Sequence, residues 1–579
     1  MTDLPQLLHD RLQPAFAAVA ADVEAPDPVV RRSDHADYQA NGALPLAKRL
    51  GRNPREIATE VLQRAELDDL VASAEIAGPG FINLTIADSA LNGLAERMAA
   101  DDRVGVPTVD QPIRVVMDYA SPNATKEMHV GHVRSTIIGD SLVRTLEFLG
   151  HEVIRRNHLG DWGTPFGMLL EHLVDLGITD PDAAGDLEIG DLNAFYQEAR
   201  KKFDADEAFA NRARARVVLL QSGDETTTGL WRIFVDESRR HFHMVFRRLD
   251  VRIQPEDDWG ESAYNDMLAP TVEELRDKGI AVQSEGALVA FPEGFTGREG
   301  KPAPLILRKR DGGFGYDVTD LAALRHRVRD LEAQRLVYLT DLGQRMHFEM
   351  VFQTAREAGW LGDGVEAEFD GFGVVLGPDR QRLRTRAGDN PKFSDLVDEA
   401  VRRAADVVAE KAPHLGADEQ AAVAEMVGVG AMKYADLSSD RVKDYVFDYD
   451  QMLSFEGNTA PYLQYAHARI HSVFAKGELD PEIAAKGSIS ITEPAEHALA
   501  LRLAEFEPAV RAAADTAEPH RIAAQLYDIA TAFTTFYEKC PVLRSEGETR
   551  ASRLALCALA ATVLRTGLDL LGIGAPRRM

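Results

Sequence analysis

The sequence predicts an α/β protein: a doubly wound parallel sheet in the middle of the chain, an α+β region before it and an all-α bundle after it. Three observations carry this. From about Ile113 to Gly377, strand-like apolar runs alternate with helical patterns. After about Asn390, Ala and Leu are abundant and apolar residues recur at spacings of three and four from Leu396 to Leu571. The opening residues mix helices with short strands and close in the polar, breaker-rich stretch Asp101 to Thr108. The expected divisions are residues 1–108, 109–390 and 391–579, with an insertion at about 168–304. A chain of 579 residues, 45% of them hydrophobic, has room for about three or four domains.

In the N-terminal region, Gly78-Pro79-Gly80 reads as a turn into a strand. The richest segment follows. An apolar run from Ile113 to Met117 ends in Asp118, Ser121-Pro122-Asn123 supplies turn residues, and Val133, Ile137, Ile138, Leu142 and Leu146 recur at helical spacing until Gly150. Strand, loop and helix make the first part of a Rossmann-like βαβ unit. The helix start presents unpaired N–H groups and the positive end of the dipole, so an anion is favoured there. His129 and His132 stand beside it as donors, and Gly131 leaves room for a ligand against the backbone. Taken alone, His-Val-Gly-His also fits an ordinary surface helix start.

Between Gly167 and about Pro304 lies a helical, charged stretch with the loop Asp257 to Tyr264, read as an insertion between the two halves of the sheet. In the C-terminal bundle, aromatics such as Tyr462, Tyr465, Phe533 and Phe536 are core residues by default, with a minority open to base stacking.

The net charge of −28 reduces nonspecific attraction to nucleic acid but leaves local basic faces possible. Arg308-Lys309-Arg310, Arg325 to Arg329 and Arg380 to Arg386 are candidates, with solvated surface charge the alternative. Cys540 and Cys557 lack metal-ligand spacing, which favours a reducing compartment and argues against structural zinc. The N-terminus lacks a basic and then apolar signal pattern, and no apolar run approaches the roughly 20 residues of a membrane span. A cytoplasmic location without membrane association is the expectation.

Taken together, these blocks resemble the class I aminoacyl-tRNA synthetases, whose signature is His, apolar, Gly, His, and in particular the arginyl-tRNA synthetases. Ser121-Pro122-Asn123, Lys126 and Arg134-Ser135-Thr136 surround the signature as in that family. Asn157 to Gly167 is similar to the next block, with Pro165 where Gln is usual. Tyr316 to Ala322, Asp341 to Gln344, Gly371 to Gly377, Gly78 to Leu84 and Gly457 to Ala466 follow the same pattern over essentially the full chain.

The resemblance implies arginine activation by ATP, as its Mg2+ complex, and arginyl transfer to tRNA(Arg) by a monomer without a resident structural metal. It implies that His129, Gly131, His132 and Lys126 meet ATP, with Arg384 sharing the work of Lys126 from an arginine-rich stretch that departs from the family's usual Lys-Met-Ser-Lys-Ser loop. Positive charge on the histidines is expected to stabilise the phosphate. Asp118, Ser121, Asn123, His132, Tyr316, Asp320 and Gln344 match arginine-contacting positions, since a guanidinium fork is met best by carboxylates and side-chain oxygens. Asp320 also fits a helix N-cap before Leu321. Asn41, Phe81 and Asn83 match positions at the tRNA elbow, while Tyr462 and Tyr465 match the anticodon-binding bundle. No editing site is expected, because hydrogen bonding alone lets a guanidinium pocket reject other amino acids.

Overall fold

The computed structural model describes residues 3–180, 192–297, 300–310, 312–383 and 391–579. They form two compact units, one of Met1–Thr108, Arg403–Tyr434 and Gln451–Met579, the other of Val109–Arg402 and Ala435–Asp450.

The chain opens with α1 (Leu4–Val19), β1 (Val30–Arg32), β2 (Tyr38–Ala40), α2 (Ala43–Leu50), α3 (Pro54–Leu62), β3 (Val71–Ala77), β4 (Phe81–Ile86) and α4 (Asp88–Ala99). The strands form an antiparallel sheet in the order β1-β2-β4-β3. Period-two alternation in β4 buries Ile82, Leu84 and Ile86 and leaves Phe81 and Asn83 partly exposed.

The second unit holds β5 (Arg114–Asp118), α5 (Val130–Phe148), β6 (Glu152–Arg156), α6 (Thr164–Asp175), α7 (Leu192–Ala205), α8 (Glu207–Gln221), α9 (Glu225–Arg248), α10 (Asn265–Asp277), β7 (Val282–Ser284), β8 (Ala287–Ala290) and β9 (Leu305–Arg308). These are followed by α11 (Tyr316–Arg329), β10 (Arg335–Tyr338), α12 (Arg345–Glu357), β11 (Glu366–Phe369) and β12 (Val375–Leu376). The central sheet has the order β11-β10-β5-β6, every pair parallel. The inner strands β5 and β10 are short apolar runs that bury Val115, Val116, Met117, Leu336, Val337 and Tyr338, whereas the outer strands β6 and β11 carry charged residues. α5 stops at Phe148, and Gly150 adopts a φ of 92° just beyond.

The stretch between the sheet halves is more than helical. β7, β8 and β9 form an antiparallel sheet turned at Glu285-Gly286, both with positive φ. Strands of three and four residues are too short for a visible period, so the sequence alone did not reveal them. Pro165, the departure from the family's Gln, lies in the first turn of α6, where its missing N–H costs nothing.

The chain ends with α13 (Phe393–Lys411), α14 (Ala417–Leu437), β13 (Tyr445–Val446), α15 (Tyr449–Met452), α16 (Ala460–Gly477), α17 (Pro481–Ala484), α18 (Pro494–Ala504), α19 (Phe506–Asp515), α20 (His520–Lys539) and α21 (Gly547–Leu570). α21 is long and apolar enough by length and composition to cross a membrane. Leu554, Leu556, Leu559, Val563, Leu564 and Leu568 instead make it part of the bundle core, together with the thiol of Cys557.

The N-terminal sheet does not stand apart. It belongs to the same unit as α18 and α21, where Ile489 and Ile491 N–H donate to Glu96 Oε1 (2.9 Å) and Asn92 Oδ1 (3.0 Å). His497 lies between Asp88 (2.7 Å) and Asp37 (3.1 Å), and those carboxylates raise its imidazole to about 9.

Candidate functional site

The site is built at the carboxyl end of the parallel sheet, where β5 gives way to α5. Ala120 and Ser121 both take positive φ, 66° and 45°, directly above β5. Backbone strain of this kind persists only where its surroundings over-determine it. Ala120 N–H donates to Ser135 Oγ (3.0 Å), Ser135 Oγ donates to Leu339 O (2.8 Å), and Ser121 N–H donates to Asn157 Oδ1 (3.0 Å). Three segments far apart in sequence are thus tied to one turn.

His129 caps α5. Gly131 N–H donates to His129 Nδ1 (3.1 Å), and His129 N–H donates to His132 Nδ1 (3.3 Å), while the rings stack at 3.9 Å. With each Nδ1 accepting a backbone proton, Nε2 carries the remaining N–H. Burial, reinforced by the neighbouring His129 ring and the Lys126 charge, pushes His132 down to about 3, and burial and Lys126 lower His129 as well. The histidines are therefore neutral donors, not the cations expected from their place at a phosphate site. Among the described residues no carboxylate is seen to support a second proton on either ring. A Cβ at Gly131 would lie 2.9 Å from His129 Cε1, so its missing side chain also makes room for that ring.

A cavity of about 780 Å³ opens in front of this turn, within the usual range for small-molecule sites. It is lined by Asp118, Ser121, Asn123, His129, Gly131, His132, Tyr316, Asp320 and Gln344, so the structure brings these predicted residues to one place. Asp320 sits inside α11, whose N-cap is Gly315, which rules out its alternative as a helix cap. Tyr316 and Asp320, one helical turn apart, both face the cavity. Asp118 carries no spare charge, because its Oδ2 accepts from Arg327 Nη2 (2.6 Å) and its Oδ1 from Ser121 Oγ (2.9 Å).

Asn123 depends on Gly160. A Cβ at Gly160 would sit 2.1 Å from Asn123 Oδ1, and the two backbones join through Ala124 N–H to Gly160 O (3.0 Å). Gly160→Ala is expected to displace Asn123 and raise the KM for the amino acid about tenfold or more. Steady-state kinetics check this, and an unchanged KM would remove Asn123 from the site.

Glu261 and His347 escaped sequence reasoning, and Arg327 and Arg382 entered it only as members of basic stretches. Glu261 lies in the loop 257–264, which is pinned over the sheet: Trp259 and Glu261 N–H donate to Asn157 O and Leu159 O (both 3.0 Å), and Ser262 N–H and Oγ bind Asp161 (2.9 and 2.7 Å). Burial first, then repulsion from Asp320 and Asp161, raises the Glu261 carboxyl to about 8. His347, four residues after the Asp341-Leu342-Gly343 turn, donates to Asp320 Oδ2 (2.6 Å). Arg382 lines the same cavity from the arginine-rich stretch.

One predicted residue lies elsewhere. Lys126 is exposed, with Nζ 4.2 Å from the Tyr196 ring centroid, outside the cavity lining yet near enough to depress both histidines. Arg384 falls outside the described residues. The basic stretch Arg325 to Arg329 is not a free face: Arg327 is buried on Asp118, while Arg325 and Arg329 pair with Glu274 (2.8 and 2.7 Å).

Of the predicted RNA-facing residues, Phe81 and Asn83 share the partly exposed face of β4, and Gln39 Nε2 donates to Asn83 Oδ1 (2.7 Å). Asn41 is half-buried just beyond β2. Tyr462 packs near Tyr527 at 5.7 Å, whereas Tyr465 is 42% exposed. Tyr445, Phe447, Phe533 and Phe536 are core residues.

A parallel sheet with a capped histidine pair at its first strand-to-helix junction defines a class, and residues 95–449 match the family model for tRNA synthetases class I (R), catalytic domain. Residues 3–86 match the arginyl tRNA synthetase N terminal domain and residues 463–579 the DALR anticodon binding domain. The chain belongs to the arginyl-tRNA synthetase family. It is 52% identical to the arginine--tRNA ligase of Thermobifida fusca over 581 residues and 50% identical to that of Streptomyces coelicolor over 586, covering 100% of both chains in each case. Among solved structures, arginyl-tRNA synthetase from Plasmodium falciparum superposes with a TM-score of 0.87 at 28% identity, covering 100% of this chain and 99% of that one. The Thermus thermophilus enzyme gives 0.82 at 26%, covering 99% and 100%.

Proposed function

We propose that this protein activates L-arginine with ATP and transfers the arginyl group to the terminal ribose of tRNA(Arg). The observation that carries this is one cavity with neutral histidine donors at one end and Asp320 and Glu261 at the other. The first suits a phosphate, the second a guanidinium.

In the first step the arginine carboxylate attacks the α-phosphate of ATP and pyrophosphate leaves. Charge grows on the phosphate oxygens, and preorganised N–H donors stabilise it without reorganising. His129 and His132 supply Nε2–H donors, and their depressed basicity keeps them from taking the proton of a passing acid. ATP enters as its Mg2+ complex, the metal neutralising triphosphate charge as part of the substrate. Arg382, Arg384 and Lys126 stabilise the leaving pyrophosphate. Lys126 leaves its resting place on Tyr196 to do so, and Lys126→Ala is expected to slow pyrophosphate exchange about ten- to a hundredfold with arginine KM unchanged. An unaltered exchange rate would assign the work to the arginines.

Asp320 and Glu261 receive the guanidinium, with Asp118, Ser121, Asn123, Tyr316, Gln344 and His132 completing the surroundings of the amino acid. Phe81, Asn83 and Asn41 face the tRNA elbow, and Tyr462 and Tyr465 the anticodon loop, with Tyr465 best exposed for stacking. The enzyme works as a cytoplasmic monomer, consistent with two buried free thiols.

The deciding experiment is arginine-dependent exchange of pyrophosphate into ATP, with and without tRNA(Arg) and with lysine as control. Exchange with arginine and not with lysine establishes the activation step, and no exchange from folded protein refutes the proposal.

A further inference from the structure

His347 lines the cavity and lies between two carboxylates of α11. Its Nε2 is 2.6 Å from Asp320 Oδ2 and its Nδ1 is 3.5 Å from Asp317 Oδ1. Asp317 is itself anchored, accepting the Ile306 N–H of β9 at 2.7 Å. The ring packs against Tyr316 (5.0 Å) and Phe348 (5.1 Å), and its side chain is 13% exposed. A chain of contacts therefore runs from the β9 backbone through Asp317 and His347 to Asp320.

We infer that His347 is a positioning residue for arginine recognition, holding one oxygen of Asp320 so that the other is presented to the guanidinium. This rests on the reading that Asp320 receives the guanidinium. A carboxylate on a free helical side chain samples several rotamers, whereas a planar fork is bound well only by a carboxylate in one orientation. The ring also supplies charge. Burial would discharge it, but the hydrogen bond to Asp320 and the charges of Asp320 and Asp317 outweigh burial and raise its basicity.

The test is arginine-dependent pyrophosphate exchange, with tRNA(Arg) present, for the parent, His347→Gln, Asp320→Asn and the double variant, each checked by thermal melting. His347→Gln should raise the KM for arginine about ten- to a hundredfold, with kcat and the KM for ATP within about threefold of the parent. In the Asp320→Asn background the same change should add less than about threefold, because it acts through Asp320. Should His347→Gln not fold, Asp317→Asn removes the outer support and carries the same expectation in the same cycle. An arginine KM untouched by Asp320→Asn strikes the reading of the pocket itself. Asp320→Asn effective with His347→Gln silent, or the two effects multiplying in full, overturns the role of His347.

Discussion

Asp320→Asn raises the arginine KM by two to three orders of magnitude and leaves the KM for ATP nearly unchanged. The replacement keeps the size and shape of the side chain and removes the charge. Truncating one partner of a buried, hydrogen-bonded charge pair costs about 2–5 kcal/mol, because the other charge is left in a poorly solvated site. Asp320 sits at 17% side-chain exposure, so solvent does little to replace what is lost. Its distance from the histidine pair in sequence and its place on α11 keep the ATP end of the cavity intact. The measurement is steady-state exchange kinetics with each substrate varied, and an arginine KM within about threefold of the parent would refute the assignment.

Glu261→Gln abolishes tight arginine binding and stabilises the free protein at alkaline pH. The carboxyl of Glu261 titrates at about 8 in the folded chain against an ordinary 4.5, from burial and then from Asp320 and Asp161. Between these values the folded state holds a proton that the unfolded state has released, so this group's contribution to stability falls as pH rises from about 4.5 to about 8. Below that window it contributes nothing, and above it the penalty is complete, of the order of a few kcal/mol. The Gln variant should melt higher than the parent at pH 9 and at the same temperature at pH 4. Arginine binding supplies the missing countercharge, ionises Glu261 and releases a proton near neutrality. Calorimetry at pH 7 should show a binding heat that depends on the buffer's ionisation enthalpy, and this dependence should vanish at pH 9 and in the Gln variant. A parent protein that releases no proton at pH 7 would show that Glu261 is not the residue beside the guanidinium.

The parts of this protein readable in advance are those written in contiguous sequence. Asp118, the Ser121-Pro122-Asn123 turn and the His129-Val130-Gly131-His132 cap lie within fifteen residues, and a strand, a turn and an amphipathic helix each leave a local signature. The first parallel strand, the alternation of strands with helices after it and the helical C-terminal region were legible for the same reason. Arg327 was misread because a run of basic residues looks solvated until its place on α11 turns one of them inward, onto an Asp118 more than two hundred residues earlier. Glu261 and His347 sit in stretches whose local pattern says only loop and helix. The strands β7 to β9 and the docking of Asn92 and Glu96 on residues nearly four hundred positions later leave no period to detect.

The sequence by itself determined the class of chemistry: a phosphate-binding helix start, an acidic set suited to a guanidinium, and the order of the blocks that place the chain in its family. Tertiary structure alone decided which charges are available. It neutralised Asp118 with Arg327, left His129 and His132 as neutral donors, protonated Glu261 and put His347 against Asp320. The physical reason is that backbone conformation follows from neighbours along the chain, whereas protonation and ion pairing follow from burial and from partners across the fold.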